Sequence, residues 1–380
     1  MQTMKAKLTI QDIARLAGVS KATVSRVLNN KPTVDPVIRE RVMKVVNERG
    51  FVPSITATVL RGGRAQLIGV LAPPLTWPSV PEIMRGVAAV VERTSYEIVL
   101  YTIGQTRDHS EILDRILAMK LTSGLLAICP GQLAGHLVRL NEQGLPIVTI
   151  DDQEPPLHTP WVGTDNQAGG YEITRHLLQL GHRRIAYIKG PTEFRCVRER
   201  YEGYCQALHE AGLRIDPALA IEGGDFTIQG GEACARTIFA RPVSERPDAI
   251  FAGNDQMAYG VLRVIDEFGV RVPADVAVVG FDDIPLAEHM QPPLTTIRQP
   301  LFEMGETAAE LLLSIIDSRL PATATSQRED ALSFSAPKVH NTRPISKLLP
   351  NQLIVRSSCG TVPPLANRRP PIIPSSLPVS

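Results

Sequence analysis

The sequence predicts a small all-α domain joined to a two-lobed α/β body with parallel sheets. Three observations carry this reading. Short amphipathic helical runs, each with start and stop signals, fill the first 50 residues. After Gln66 apolar runs alternate with amphipathic stretches, and the alternation occurs four times before residue 152 and four times after it.

In the head, Thr9 is placed to cap a first helix, with Asp12 three residues on in a near capping box and Ile13, Leu16 and Ala17 as its apolar face. Gly18 ends it in a tight turn. Ser20 caps a second helix to about Leu28, with Val24, Val27 and Leu28 inward and Lys21, Ala22, Ser25 and Arg26 outward. Asp35 followed by Pro36 starts a third, whose Ile38, Val42, Val45 and Val46 recur at helical spacing until Gly50. Three helices this short can share one small core.

In the body, strands are predicted at 67–72, 97–103, 124–130, 146–151, 184–190, 219–224, 248–255 and 276–283. Strands apolar throughout, each followed by a helix, call for parallel sheets covered on both faces. The polar stretch 321–347 is expected to be a loop insertion before a last strand at 353–356, and the proline-rich end, 359–380, a disordered tail.

Composition narrows the function. The chain has 380 residues, 43% apolar and 5% aromatic, which excludes a wholly disordered protein. It has no apolar run long enough for a membrane span and no secretory signal layout, so a cytoplasmic protein without membrane partners is expected. Five scattered cysteines form no C-x-x-C pair, and no cofactor or metal site is expected. The net charge of +1 is uneven: residues 1–66 carry 12 Lys/Arg and 4 Asp/Glu, the remainder 28 and 35. A basic head on a mildly acidic body suggests a polyanion partner, because neutralising phosphates releases counterions. Enzyme motifs are missing: no G-x-G-x-x-G after a strand, no phosphate-binding G-x-x-x-x-G-K-[ST], no H-E-x-x-H and no G-x-S-x-G.

Several segments together resemble the lactose-repressor (LacI/GalR) family of bacterial transcription regulators. They are LTIQDIARLAGVSKATVSRVLNN (8–30), GFVPSITATVLRGG (50–63), VGTDNQAGGYEITRHLLQLGHRRIAYIKG (162–190), the long run from Ala249 to Pro300, and LPNQLIVRSSCG (349–360). The resemblance implies a helix-turn-helix domain at 1–50, a hinge helix or linker at 51–64, and a periplasmic-binding-protein-like effector and dimerisation domain at 65–358. The lobes are expected at 66–161 plus 299–320, and at 163–296 plus 348–356. The function implied is that of a homodimeric, sequence-specific regulator, a repressor of carbohydrate-utilisation genes, under allosteric control by a small sugar-like effector. Its operator would be a pseudo-palindrome with a central CG step. A sugar-sensing module without operator binding is the alternative.

In a helix-turn-helix unit the second helix presents its N-terminal side chains to base edges in the major groove. Lys21 and Arg26 can donate to guanine, and Ala22 can contact a thymine methyl. Ser20, Thr23, Ser25 and Asn29 are suited to phosphates, and Thr9 is also expected at the DNA. The resemblance places Ala57 and Leu60 in the hinge, with Leu60 wedged into the minor groove, while Thr58 stands where many relatives carry Arg or Gln.

In open α/β sheets ligands bind beyond the carboxyl ends of the strands, where Asp151, Asp152, Asn254, Asp255, Asp282 and Asp283 fall. The family motifs point to Arg198, Phe226, Asn254 and Asp282 as effector contacts, with Asp151 and Gln299 next. Trp77 is either a stacking platform or an edge residue packing its loop, and Asp165, Asp255 and Asp283 either touch ligand or hold local structure.

Overall fold

The computed structural model describes residues 8–28, 33–51, 66–103, 122–151, 159–319 and 345–360. The chain divides into two units, 1–65 and 66–380.

The head unit contains α1 (Ile10–Ala17), α2 (Lys21–Leu28) and α3 (Pro36–Arg49). At the start of α1 the Thr9 amide donates to Asp12 Oδ2 at 2.9 Å and Thr9 Oγ1 accepts the Asp12 amide at 3.3 Å, completing a capping box. Gly18 closes α1 at φ 64°, a conformation any side chain would strain. Asp35 Oδ1 accepts the amides of Val37 and Ile38, and Pro36 takes the first helical position of α3. Ile13, Ala17, Val24, Val27, Val42, Val46 and Phe51 form the core. Leu16 departs from the predicted apolar face: it is 43% exposed, and Ala14 takes its place. The inward face of α1 runs through Ile10, Ile13, Ala14 and Ala17 at helical spacing, and Leu16 lies off it.

The first lobe of the body is a six-stranded parallel sheet. Its strands are β1 (Leu67–Ala72), β2 (Glu97–Thr102), β3 (Gly124–Ile128), β4 (Ile147–Ile150), β5 (Trp161–Thr164) and β11 (Ser346–Leu349), in the order β11-β5-β4-β3-β1-β2. One face is covered by α4 (Ser79–Val91) and α10 (Leu301–Ser318), the other by α5 (Ala134–Glu142). Gly86 lets α4 and α10 approach closely, since a Cβ there would strike the carbonyl oxygen of Phe302.

The second lobe holds β6 (Ile185–Ile188), β7 (Ala220–Ile221), β8 (Ala249–Ala252) and β9 (Ala277–Val279), parallel in the order β7-β6-β8-β9. Helices α6 (Asn166–Gln179) and α7 (Arg195–Glu210) cover one face, α8 (Ile228–Phe239) and α9 (Asp255–Ile265) the other. A small antiparallel pair, β10 (Thr296–Arg298) with β12 (Gln352–Ile354), packs beside them.

The chain passes between lobes after β5, after β10 and between β11 and β12. Asn351 ties the first and third passages: its Nδ2 donates to the Asp165 carbonyl at 2.7 Å, and its Oδ1 accepts the Thr164 hydroxyl.

Three sequence expectations change here. Ser346–Leu349 lies partly in the expected insertion and partly in the expected second lobe, yet it pairs with β5 as the edge of the first sheet. It was hidden because an edge strand exposed along most of its length lacks an apolar run. The first lobe runs on through Thr164, and Cys359, 1% exposed, belongs to the second lobe's core rather than to a tail. The rest of the expected insertion and tail, 321–344 and 361–380, and the expected hinge residues 52–64 lie outside the described residues.

Candidate DNA-reading face and inter-lobe cavity

In the head, Lys21, Ala22 and Arg26 are exposed on α2, while Thr23 and Ser25 are half-buried. Ser20 Oγ accepts the Thr23 amide at 3.1 Å, so it caps the helix. The Thr9 hydroxyl donates to Asp12 Oδ2 at 2.7 Å and is engaged in its own cap. Asn29, Ala57 and Leu60 lie outside the described residues.

In the body, a cavity of about 500 Å³, including its solvent-open mouth, lies between the lobes. The first lobe contributes Trp77, Pro78 and Ser79 from the loop after β1 and the start of α4, Cys129 directly after β3, and Asp151 directly after β4. The second contributes Phe194, Cys196 and Arg200 from the start of α7, Phe226 before α8, Asn254 after β8 and Asp282 after β9; Gln299 comes from a passage between lobes. The strand carboxyl ends of both sheets therefore face one volume, as open α/β sheets place their ligands.

Backbone strain gathers at this volume. Among the described residues, the non-glycine positions with left-handed φ are Cys129 (44°), Asp151 (66°), Phe226 (66°), Asp282 (114°) and Asp283 (56°). The first four line the cavity and the fifth lines an adjoining groove. Each costs on the order of 1–3 kcal/mol and persists where surrounding structure holds it for a purpose.

Arg200 is the electrostatic centre, 3% exposed. Its Nε donates to Asn166 Oδ1 at 2.9 Å and its Nη1 to the Gly253 carbonyl at 2.7 Å; Nη2 lies 3.6 Å from Asp282 Oδ1, and the guanidinium sits 3.7 Å from the Phe281 ring centre. Burial pushes the carboxyls of Asp151 and Asp282 above the usual range, with Arg200 opposing in both cases. Asn254 Oδ1 caps α9 through the Met257 amide at 2.9 Å, and its Nδ2 donates to the Phe226 carbonyl at 3.1 Å. Three aromatic rings form the remaining wall: Trp77 meets Phe194 at 5.5 Å and 77°, and Phe226 at 6.0 Å and 64°.

Of the residues expected to contact effector, the fold brings Trp77, Asp151, Phe226, Asn254, Asp282 and Gln299 to this cavity. Arg198 is a correction: it does not line the cavity, and its Nη1 donates to the Thr192 carbonyl at 2.7 Å. On α7 the inward face runs through Cys196, Arg200, Gly203, Tyr204 and Ala207, and Arg198 is off that face. Arg200, Phe194, Cys129 and Cys196 were missed. Helical periodicity would have found Arg200, and position after an apolar strand would have found Cys129. The other carboxylates at strand ends hold local structure. Asp165 caps α6 through Ala168, Asp255 accepts from Ile284 and Thr296, and Asp283 pairs with Arg298 and Arg356, each at 2.7 Å. Asp152 lies outside the described residues. His176 and His182 serve separate neighbours, Cys359 at 3.4 Å and Asp248 at 3.6 Å, and no metal-binding cluster occurs among the described residues.

A three-helix unit with a basic, exposed second helix, followed by a two-lobed body with a polar-aromatic cavity, defines a DNA-binding transcription regulator with a small-molecule sensor. Residues 9–54 match the family of bacterial regulatory proteins, lacI family, and residues 174–333 match the periplasmic binding protein-like domain. The chain is 34% identical over 313 residues to the HTH-type transcriptional repressor PurR of Vibrio atlanticus (strain LGP32), covering 82% of this chain and 92% of that one. It is 36% identical over 307 residues to the ribose operon repressor of Escherichia coli (strain K12), covering 80% and 92%. The lac repressor dimer bound to operator and the anti-inducer ONPF superposes with a TM-score of 0.77 at 27% identity, covering 93% of this chain and 99% of that one. The chain belongs to the lacI family of bacterial regulatory proteins.

Proposed function

We propose that the protein is a homodimeric cytoplasmic repressor of carbohydrate-utilisation genes, acting on the nucleoid, whose operator affinity is set by a small uncharged sugar held between its lobes. It acts as a regulator, not as an enzyme. The observation that carries the effector class is the wall chemistry of the cavity. Trp77 stands edge-on to Phe194 and Phe226, which are tilted to each other, so the three make a cage rather than a parallel slot, which suits the C–H faces of a puckered ring better than a flat base. Asp151, Asp282, Asn254 and Gln299 offer paired acceptors and amides for hydroxyls.

Charge narrows the class further. Among the described residues the lining has two carboxyls and one guanidinium, and that guanidinium is already hydrogen-bonded within the protein. A phosphorylated sugar or sugar acid would bring negative charge against Asp151 and Asp282, with no further cation among the described lining residues to meet it.

On the DNA side, Lys21, Ala22 and Arg26 are the candidates for base contacts, with Thr9, Ser20, Thr23, Ser25 and Asn29 toward phosphates and Ala57 and Leu60 in the hinge. A two-fold dimer reads two symmetric half-sites, which supports a pseudo-palindromic operator, for which we propose a central CG step.

The test is a thermal-shift screen of the pure protein against neutral monosaccharides, disaccharides, sugar phosphates and purine bases, since a ligand binding the folded state raises its stability. A shift with neutral sugars supports the proposal. A shift with sugar phosphates or purines alone refutes the effector class. A gel shift on a palindrome with a central CG step, giving no retardation at any salt, would instead favour a sensing module without operator binding.

A further inference from the structure

We infer that Cys129 is a nucleophile for small uncharged α,β-unsaturated carbonyl compounds that enter the inter-lobe cavity, with Asp151 as its proton acceptor. Cys129 and Asp151 follow adjacent parallel strands of the first lobe, and both have left-handed backbone. This brings the Cys129 Sγ–H to Asp151 Oδ2 at 3.4 Å, a thiol donating to a 93%-buried carboxyl at the cavity wall. A nucleophile hydrogen-bonded to a base is the arrangement that activates it. Burial raises the Asp151 carboxyl, against the pull of Arg200, and so makes it a stronger proton acceptor than an exposed carboxylate.

Two independent features show that the volume is built to be occupied. Gln299, 5% exposed, lines it and leaves Oε1 without a hydrogen-bond partner. On the opposite lobe Cys196 lines the same space, so polarisable sulfur faces it from both sides.

The other thiols are set differently. Burial pushes Cys234 up to about 11 and raises Cys205, and Cys359 is 1% exposed between His176 at 3.4 Å and Thr295 at 3.1 Å. The thiolate is the reacting form, so these three should lag.

In the reaction, Asp151 takes the thiol proton and the sulfur lone pair bonds the β-carbon of the electrophile. The C=C π pair moves to the α-carbon, which then receives the proton from Asp151. The net change is addition of S–H across C=C, with no leaving group and no oxidant. A thioether there fills space that a sugar would need, a consequence that rests on the effector reading above.

Full-length protein is treated with limiting N-methylmaleimide and each cysteine is followed by peptide mass spectrometry. Cys129 should be modified about 10-fold or more faster than Cys205, Cys234 or Cys359, and Asp151→Asn should slow it about 10-fold. The wild-type pH profile gives a second readout if the variant folds poorly. A Cys129 rate nearly flat between about pH 6 and 8 supports Asp151 as acceptor, whereas a rise of about tenfold per pH unit, the behaviour of an isolated thiol, overturns that role. Cys129 labelling no faster than Cys234 overturns the proposal. Repeating the labelling with D-ribose and other neutral monosaccharides separates the two readings. Fast labelling slowed by a sugar supports both, and fast labelling that no sugar slows upholds the nucleophile while counting against the carbohydrate effector.

Discussion

Gln299 donates a 2.7 Å hydrogen bond from Nε2 to Oδ1 of Asp282, joining a passage between the lobes to the end of a second-lobe strand. The same Asp282 oxygen lies 3.6 Å from Arg200 Nη2, so one buried carboxyl links that passage to the cationic centre of the cavity. A ligand anchored to the first lobe and touching Asp282 would bias how the lobes close, and through them the spacing of the two heads in a dimer. That coupling must be reciprocal, and in such systems it amounts to about 1–3 kcal/mol, or roughly 5- to 150-fold in affinity.

Asp282→Ala should therefore bind operator but no longer respond to effector. The measurement is operator affinity with and without a saturating sugar, in wild type and variant. A full response in the variant would remove Asp282 from the coupling.

Arg200 and Arg198 should behave differently despite being two residues apart. Arg200→Ala leaves Asn166 and the Gly253 carbonyl without their donor and Asp282 without its cation. Breaking a buried pair in this way costs about 3–5 kcal/mol, and the sugar-induced thermal shift should vanish with it. Arg198→Ala removes a bond to the Thr192 carbonyl at the protein's surface and should keep the sugar response. Equal loss of response in both variants would show that the cavity assignment of Arg200 is not specific.

That pair also shows how much of the site was legible. Strand ends announced Asp151, Asn254 and Asp282 because a parallel strand reads as an apolar run and its next polar residue points to the cleft. Which arginine of the stretch RCVRER faces inward follows from the helical spacing of Val197, Arg200, Tyr204 and Ala207, whereas the start of α7 at Arg195 carries no side-chain cap to mark it. Phe194 was invisible for that reason, being the residue just before that helix. The head was legible in detail because its caps are local in sequence. β11 was not, because its partner β5 lies about 180 residues away and its own residues face solvent.

Asp255 gives a pH dependence of unusual sign. It is fully buried, and desolvation together with the nearby Asp282 charge raises it well above the ordinary 3.8, against the hydrogen bonds from Thr296 and Ile284. A carboxyl raised on folding binds its proton more tightly in the native state, so it costs stability as pH rises from 3.8 through the native value. Wild type should gain stability relative to Asp255→Asn as pH falls from neutral through that window. Asp248 and Asp275, which are lowered by their partners, act in the opposite direction but equally in both proteins. Urea midpoints at about pH 7 and pH 5 test this, and a constant difference between the two proteins would contradict it.

The head offers the sharpest separation between reading sequence and holding phosphate. Arg26 is exposed on α2, with Lys21 and Ala22 at the helix's N-terminal end, while Ser20 holds the cap. If Arg26 makes a bidentate contact to guanine, Arg26→Ala should cost about 1–3 kcal/mol on operator and little on unrelated DNA. A phosphate contact would instead weaken both DNAs alike and reduce the salt slope by about one counterion. Thr9→Ala separates either effect from unfolding, because losing the capping box should cost about 1 kcal/mol of head stability and lower affinity for both DNAs together. Filter binding of the three proteins on operator and scrambled duplex, across a salt series, together with a thermal melt of each, measures all of these. Equal weakening on both duplexes in Arg26→Ala, with an unchanged melting profile, would move Arg26 from base readout to the backbone.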